Sequence, residues 1–231
     1  MMRPWRIIGG PTHRDSPAQR PDVVTLLQTL YVIAIIAEAM SGAIMAIRRG
    51  MDLFGICLIG IVTALGGGTV RDMVLGHYPV GWIAHPEYLL FTGGAALLAA
   101  LVARHLHRLR QAFLIVDALG LVAFAVIGCD VALSMGLNPA IVVLAGLITG
   151  VFGGLLRDLL CNEMPLVLCR ELYATVALAT GIIYVGLQML GVSAGMATLP
   201  ALLLGFLLRM MALRYRWQLP RIDANDVRGL E

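Results

Sequence analysis

Two stretches of this 231-residue chain combine residue types that seldom meet inside apolar sequence: Gly66-Gly67-Gly68-Thr69-Val70-Arg71-Asp72 and Phe152-Gly153-Gly154-Leu155-Leu156-Arg157-Asp158. In each, glycines precede an adjacent cation and anion. A glycine costs about 1 kcal/mol against alanine in a helix interior, so a run of them marks a place where a helix bends, unwinds or touches another backbone. If the helix unwinds, Thr69 caps a second half-helix. Carbonyls of Val62, Ala64 and Leu65 then lose their partners and become natural ligands for a monovalent cation. The plainer alternative is close helix packing, as in the small-xxx-small stretch Gly146-x-x-x-Gly150.

Charged side chains in an apolar span cost several kcal/mol unless paired, buried in the bundle or hydrated. Neighbours on a helix diverge by about 100°, so each Arg is expected to meet an acid other than the one beside it. Arg71 with Asp158 is one pairing, and Arg71 or Arg157 with Glu38 or Asp117 is another. A third arrangement puts both Arg-Asp pairs at the membrane boundary as anchors of helix ends. Glu38 and Asp117 lie deep in apolar runs, where a carboxylate is paired, hydrated or protonated. Asp130 stands alone and is secondary.

The elements that must hold these residues are membrane helices. Hydrophobic residues make up 59% of the chain against 13% charged, and mean hydropathy is +0.87, far from soluble averages. A bilayer core needs about 20 apolar residues per helix. Seven stretches qualify: Val24 to Ile47, Leu53 to Leu75, Glu87 to Ala103, Phe113 to Met135, Pro139 to Leu160, Leu172 to Leu190 and Val192 to Leu213. The first three spans resemble the next three, with Arg71-Asp72 opposite Arg157-Asp158, Pro79 opposite Pro165, and Glu38-Ala39 opposite Asp117-Ala118. A three-helix unit repeated in tandem enters the membrane from opposite sides, so the expected architecture is all-α, two inverted repeats plus a seventh helix that packs or closes. The layout is a polar tail over 1–22, repeats over 23–110 and 111–191, the seventh span over 192–214, and a tail over 215–231.

Arg48, Arg49, Arg104, Arg108, Arg110 and the arginines after the last span lie on one side, which the positive-inside bias makes cytoplasmic together with the C-terminus, leaving the N-terminus outside. The four cysteines have no metal-ligand spacing, and the aromatics Tyr31, Trp82, Tyr88, Tyr173, Tyr184 and Trp217 fall mostly near span ends. The histidines read as solvated. No catalytic constellation, cofactor motif or basic nucleic-acid surface appears, so neither an enzyme nor a nucleic-acid binder is expected.

The doubled glycine-Arg-Asp elements, the seven spans and the Glu38/Asp117 pair resemble the bacterial branch of the trimeric intracellular cation (TRIC) channels, whose members have also been described as glycine transporters. The resemblance runs from about Leu26 to Leu213. It implies a homotrimer in lipid, in a bacterial inner membrane, with a pore inside each protomer. The second and fifth spans would kink at Gly66 to Gly68 and at Gly153-Gly154 and pass potassium and, less selectively, sodium. Phe152 stands where the first copy has Gly66, so the second break is expected to be the constriction. Neutralisation of Arg71 and Arg157 by Asp72, Asp158, Glu38 or Asp117 is required if the path carries cations. The rival is a transporter of a small zwitterion such as glycine, its carboxylate held at half-helix N-termini at Thr69 and Leu155 and its ammonium at Glu38 or Asp117.

Overall fold

A computed structural model describes residues 21–103, 109–169 and 172–217, and every regular element among them is a helix. Five are long and apolar enough to cross a membrane: α1 (Pro21–Arg48), α2 (Leu53–Leu75), α5 (Leu109–Ser134), α6 (Pro139–Leu160) and α9 (Ala194–Tyr215). Two shorter apolar helices, α4 (Glu87–Ala103) and α8 (Tyr173–Met189), have 17 residues each. At 1.5 Å per residue they reach about 26 Å, the lower end of what a bilayer core needs. Single turns α3 (Gly81–Ala84) and α7 (Leu166–Cys169) follow α2 and α6. The polar tails outside 21–217, together with Arg104, Arg108 and Glu171, lie outside the described residues.

The bundle is apolar on its outside as well as its inside. Phe54, Leu90, Ile182 and Leu203 are more than half exposed, as side chains facing lipid are. Ala39, Ala43, Ala46, Ala96 and Ala125 are completely buried, so the interior is built from small residues that let backbones approach. Arg49 after α1 pairs with Glu163 after α6 at 2.7 Å and donates to the Asn162 carbonyl at 2.9 Å. Leu75, Leu133 and Leu187, at the far ends of α2, α5 and α8, share one apolar cluster. These contacts place the C-terminal ends of α1 and α6 together, and those of α2, α5 and α8 together.

Local signals recur at a constant spacing of 86 residues, as from Gly67 to Gly153. Asp52 caps α2 through Gly55 N–H, and Asn138 caps α6 through Ala140 N–H. Left-handed residues close both helices, Gly76 at φ 68° and Asn162 at φ 51°, and left-handed Gly50 and Gly136 precede them. A Cβ on Gly42 would stand 2.8 Å from the Ile59 carbonyl, and one on Gly128 2.8 Å from the Ala145 carbonyl. This register corrects the pairing of Glu38 with Asp117. Carried through α1 and α5, the spacing sets Asp117 opposite Tyr31 and Glu38 opposite Phe124. Matching acid with acid slides one helix two turns out of register, because packing glycines and caps, rather than charges, mark equivalent positions.

The glycine elements do not break their helices. Hydrogen-bonded α-helix runs through Gly66 to Gly68 in α2 and through Gly153-Gly154 in α6. Thr69 is no N-cap: its hydroxyl donates back to the Leu65 carbonyl at 2.8 Å, the mid-helix habit of threonine. The glycines instead allow contact between backbones. A Cβ at Gly67 would overlap the Thr149 carbonyl oxygen, and one at Gly153 would overlap the Thr63 carbonyl oxygen. Position 67 thus meets 149 and 153 while 153 meets 63 and 67, the register of an antiparallel crossing. The helix-propensity cost of the glycines is offset by contact that no other residue permits.

Gly67→Ala and Gly153→Ala are therefore expected to destabilise the folded protein in detergent by about 1–3 kcal/mol each, the cost of overpacking. Gly94, whose added Cβ meets nothing within 4 Å, is the control. Gly94→Ala should be neutral or stabilising by up to about 1 kcal/mol. Thermal or denaturant unfolding of the three variants reads the difference.

Candidate functional site

Each Arg-Asp pair lies in the last two turns of its helix and is buried: Arg71 and Asp72 are 5% and 1% exposed, Arg157 and Asp158 0% and 1%. Because α2 and α6 cross antiparallel near their glycines, the two pairs lie on opposite sides of the crossing, on the order of 15–20 Å apart at 1.5 Å per residue. The two pairs thus form two separate sites and do not meet across the crossing.

Arg157 meets Asp117, one of the expected pairings, but both Arg side chains also bond the neighbour they were expected to avoid. Arg71 folds back on its own neighbour, its Nε and Nη2 donating to Asp72 Oδ1 at 2.9 and 2.7 Å. Arg157 Nε likewise donates to Asp158 Oδ1 at 2.8 Å. Divergence by 100° at Cα does not prevent this, because the long Arg arm curls around the helix and brings its fork to one carboxylate oxygen. The other oxygen of each acid holds the following loop. Asp72 Oδ2 accepts from Gly81 N–H at 3.1 Å, at the start of α3, and Asp158 Oδ2 from Leu166 N–H at 2.9 Å, at the start of α7. Anchoring of helix ends is therefore part of what the pairs do, although they do it from inside the bundle. Trp82 Nε1 adds a bond to Thr69 Oγ1 at 3.2 Å, and half-exposed His77 places Nδ1 3.1 Å from Asp72 Oδ1.

The two ends then differ. Arg157 reaches beyond its neighbour: Nη1 donates to Asp117 Oδ1 at 2.5 Å and to Ser41 Oγ at 2.7 Å, joining α6 to α5 and α1. Its guanidinium also sits 4.7 Å above the Phe113 ring. Tyr173 donates to the same Asp117 oxygen at 3.3 Å, and the Arg209 guanidinium lies 4.7 Å above the Tyr173 ring. Glu38 packs on Gly120, one turn from Asp117 on α5, so closely that a Cβ there would overlap its carboxyl. At the other end, among the described residues, Arg71 has Asp72 alone as an ion-pair partner. Where the second half offers Asp117, the first offers Tyr31, whose hydroxyl and Asp72 Oδ2 both flank Gly81. Arg71 does not bond Asp158, Glu38 or Asp117.

Phe152, Gly66, Gly68 and Thr69 are half-buried beside the crossing, and Gly67, Gly153 and Gly154 are buried in it. With both helices continuous, no freed carbonyls form an ion cage, and the half-helix N-termini at Thr69 and Leu155 that a zwitterion would need are not formed. No group of three His, Cys, Asp or Glu with metal-binding geometry occurs among the described residues. Tyr173 and Tyr184 are buried, not interfacial, and Tyr184 donates to Asp130 at 2.8 Å. Ser41, Tyr173 and Arg209 were not singled out from sequence as members of the charge network. Arg209 carried the same signal as Glu38, a lone charge in an apolar run, and it makes α9 a contributor to the site as well as a packing element.

The family model described as "Glycine transporter" matches residues 8–104 and 114–189. A UPF0126 inner membrane protein, YadS of Escherichia coli K12, is 36% identical over 203 residues, covering 87% of this chain and 98% of its own. A TRIC trimeric intracellular cation channel orthologue from Rhodobacter sphaeroides superposes with a TM-score of 0.80 at 38% identity, covering 83% of this chain and 98% of that one. A prokaryotic TRIC channel determined in 0.5 M KCl gives a TM-score of 0.79 at 36% identity over 85% of this chain and all of that one. An all-helical membrane bundle with these relatives and these buried pairs belongs to the bacterial branch of the trimeric intracellular cation channel family.

Proposed function

We propose that the protein is a channel for monovalent cations, potassium among them, working as a homotrimer in a bacterial inner membrane with one path per protomer beside the α2–α6 crossing. The observation that carries this reading is the set of charges kept inside the bundle. Four buried carboxylates (Glu38, Asp72, Asp117, Asp158) face three buried guanidiniums (Arg71, Arg157, Arg209). Ion pairs buried this deeply are weak contributors to stability, and charges at membrane depth mark ion paths. Each Asp cancels an Arg that would otherwise repel cations.

The crossing in this conformation is a closed point, since Gly67 and Gly153 rest on opposing carbonyls and leave no room for an ion between them. Seven crossings in two inverted repeats, related by the 86-residue spacing and followed by α9, are our reading of the topology. It is supported by helix ends that alternate between two clusters and by the antiparallel register of α2 and α6. We place the C-terminus in the cytoplasm and the N-terminus outside. The TRIC relatives are trimeric by description, which supports the assembly. Transport of a zwitterion is not favoured, because the helix ends it needs are absent.

Purified protein in planar bilayers under a KCl gradient should give currents that reverse toward the potassium equilibrium potential. Reversal toward the chloride potential, or no current, would contradict the channel. Asp72→Asn leaves Arg71 without its counter-charge and should lower cation current at least tenfold, about 1.4 kcal/mol of added barrier. Phe152→Gly should raise unitary conductance, since Phe152 narrows the half in which its counterpart is Gly66. Unchanged conductance would remove Phe152 from the path.

A further inference from the structure

The Arg157 end of the bundle is not balanced. Asp117 and Asp158 pair with Arg157, Glu38 packs against Gly120 one turn from Asp117, and the Arg209 guanidinium lies over the Tyr173 ring. Glu38 comes from α1, Asp117 from α5, Asp158 from α6, Tyr173 from α8 and Arg209 from α9. On the same side the Arg49–Glu163 pair joins the ends of α1 and α6; toward the far cluster α2 brings Arg71 and Asp72 to Tyr31, two turns before Glu38, and α4 brings Tyr88 to the same Tyr31 ring at 4.8 Å. Counting Arg209, three negative groups face two positive ones.

The hydrogen bonds leave an oxygen of two of these acids unmatched, while Arg157 Nη2 is aimed at neither. Glu38 is 2% exposed and its Oε2 has no donor; Asp117 is 0% exposed and its Oδ2 has none either. A buried ionised oxygen without a donor costs several kcal/mol, and here two occur on facing helices. Tight packing of the Glu38 carboxyl against Gly120 excludes the six to eight oxygen ligands that a metal cation would require. A proton fits where an ion does not. Placed on Glu38 Oε2, it removes one negative charge and turns one orphan acceptor into a donor.

We propose that Glu38 is a buried proton-binding site whose proton completes the Arg157–Asp117–Ser41 network. This goes beyond the channel reading and does not depend on it. Ser41 lies one turn from Glu38 on α1 and accepts from Arg157 Nη1, so the proton on Glu38 governs how α1 is held against α5 and α6. When the proton leaves, Glu38 competes with Asp117 for Arg157, and the grip of α6 on α1 changes. The site therefore makes a helix contact at the heart of the bundle sensitive to pH. No counterpart exists at the Arg71 end, where Phe124 occupies the position equivalent to Glu38.

The test is infrared difference spectroscopy of the full chain in lipid vesicles, stepped between acid and alkaline pH in H2O and D2O. The expected result is the carbonyl stretch of a protonated carboxylic acid, shifted in D2O and lost as pH rises. It should be absent in Glu38→Gln, retained in Asp117→Asn, and present at a displaced frequency in Glu38→Asp, which keeps an acid in place if Glu38→Gln folds poorly. A band that survives in Glu38→Gln but disappears in Asp117→Asn would put the proton on Asp117 and overturn the proposal. So would the absence of any titrating band in the wild type, which would mean that all three acids stay ionised around Arg157. None of these readouts requires ion flux, so they stand apart from a failure to conduct.

Discussion

Contact between two helix backbones governs the rest of this molecule. At Gly67 and Gly153 the antiparallel helices α2 and α6 meet Thr149 and Thr63 carbonyls with no side chain between them. Lipid tails offer no hydrophobic gain when helices associate, so van der Waals contact of this kind is what holds a membrane bundle together. The crossing sets the height of everything further along each helix. One to two turns beyond it, in opposite directions, the two Arg-Asp pairs arrive inside the bundle rather than in lipid.

Once inside, each pair must satisfy its own hydrogen-bonding groups, and each does so by the same device. One carboxylate oxygen takes the neighbouring guanidinium, and the other takes a backbone N–H of the loop that follows. The loops after α2 and α6 are thereby tied back to the ends of their own helices. Divergence begins with the residue two turns before the glutamate position, which is Tyr31 in α1, and with its equivalent in α5, Asp117. A carboxylate there draws Arg157 into contact with α1 and α5 and recruits Tyr173 and Arg209; a tyrosine there leaves Arg71 with one acid. Two halves that share packing signals at one spacing thus differ in charge through a few residues in one frame.

The spans were legible from composition, because about 20 apolar residues admit few other structures in lipid, and predicted and observed helices coincide at Leu53, Leu75, Glu87, Ala103, Pro139 and Leu160. The membership of Arg71, Asp72, Arg157, Asp158, Glu38 and Asp117 in buried polar clusters was legible too, since charges in apolar runs are costly. Geometry was less so. Glycine signals both a break and a close contact, and only the position of the opposing carbonyl separates the two. Reasoning from Cα directions missed the reach of the Arg arm. Matching Glu38 to Asp117 by chemical type hid the 86-residue register that Gly42, Gly60 and Asp52 share with Gly128, Gly146 and Asn138. Arg209 gave less warning because the seventh helix has no partner in the repeat, and Tyr173 because an aromatic at a span end reads as an interfacial anchor.

The central claim, that α2 and α6 stay helical through their glycines and press backbone to backbone, is tested most directly by amide hydrogen exchange of the protein in lipid nanodiscs. Continuous helices predict that the amides from Gly66 to Val70 and from Gly153 to Arg157 are protected as strongly as those of the helix turns before them. Fast exchange confined to these two segments would show unwound helices with freed carbonyls, and would contradict the account.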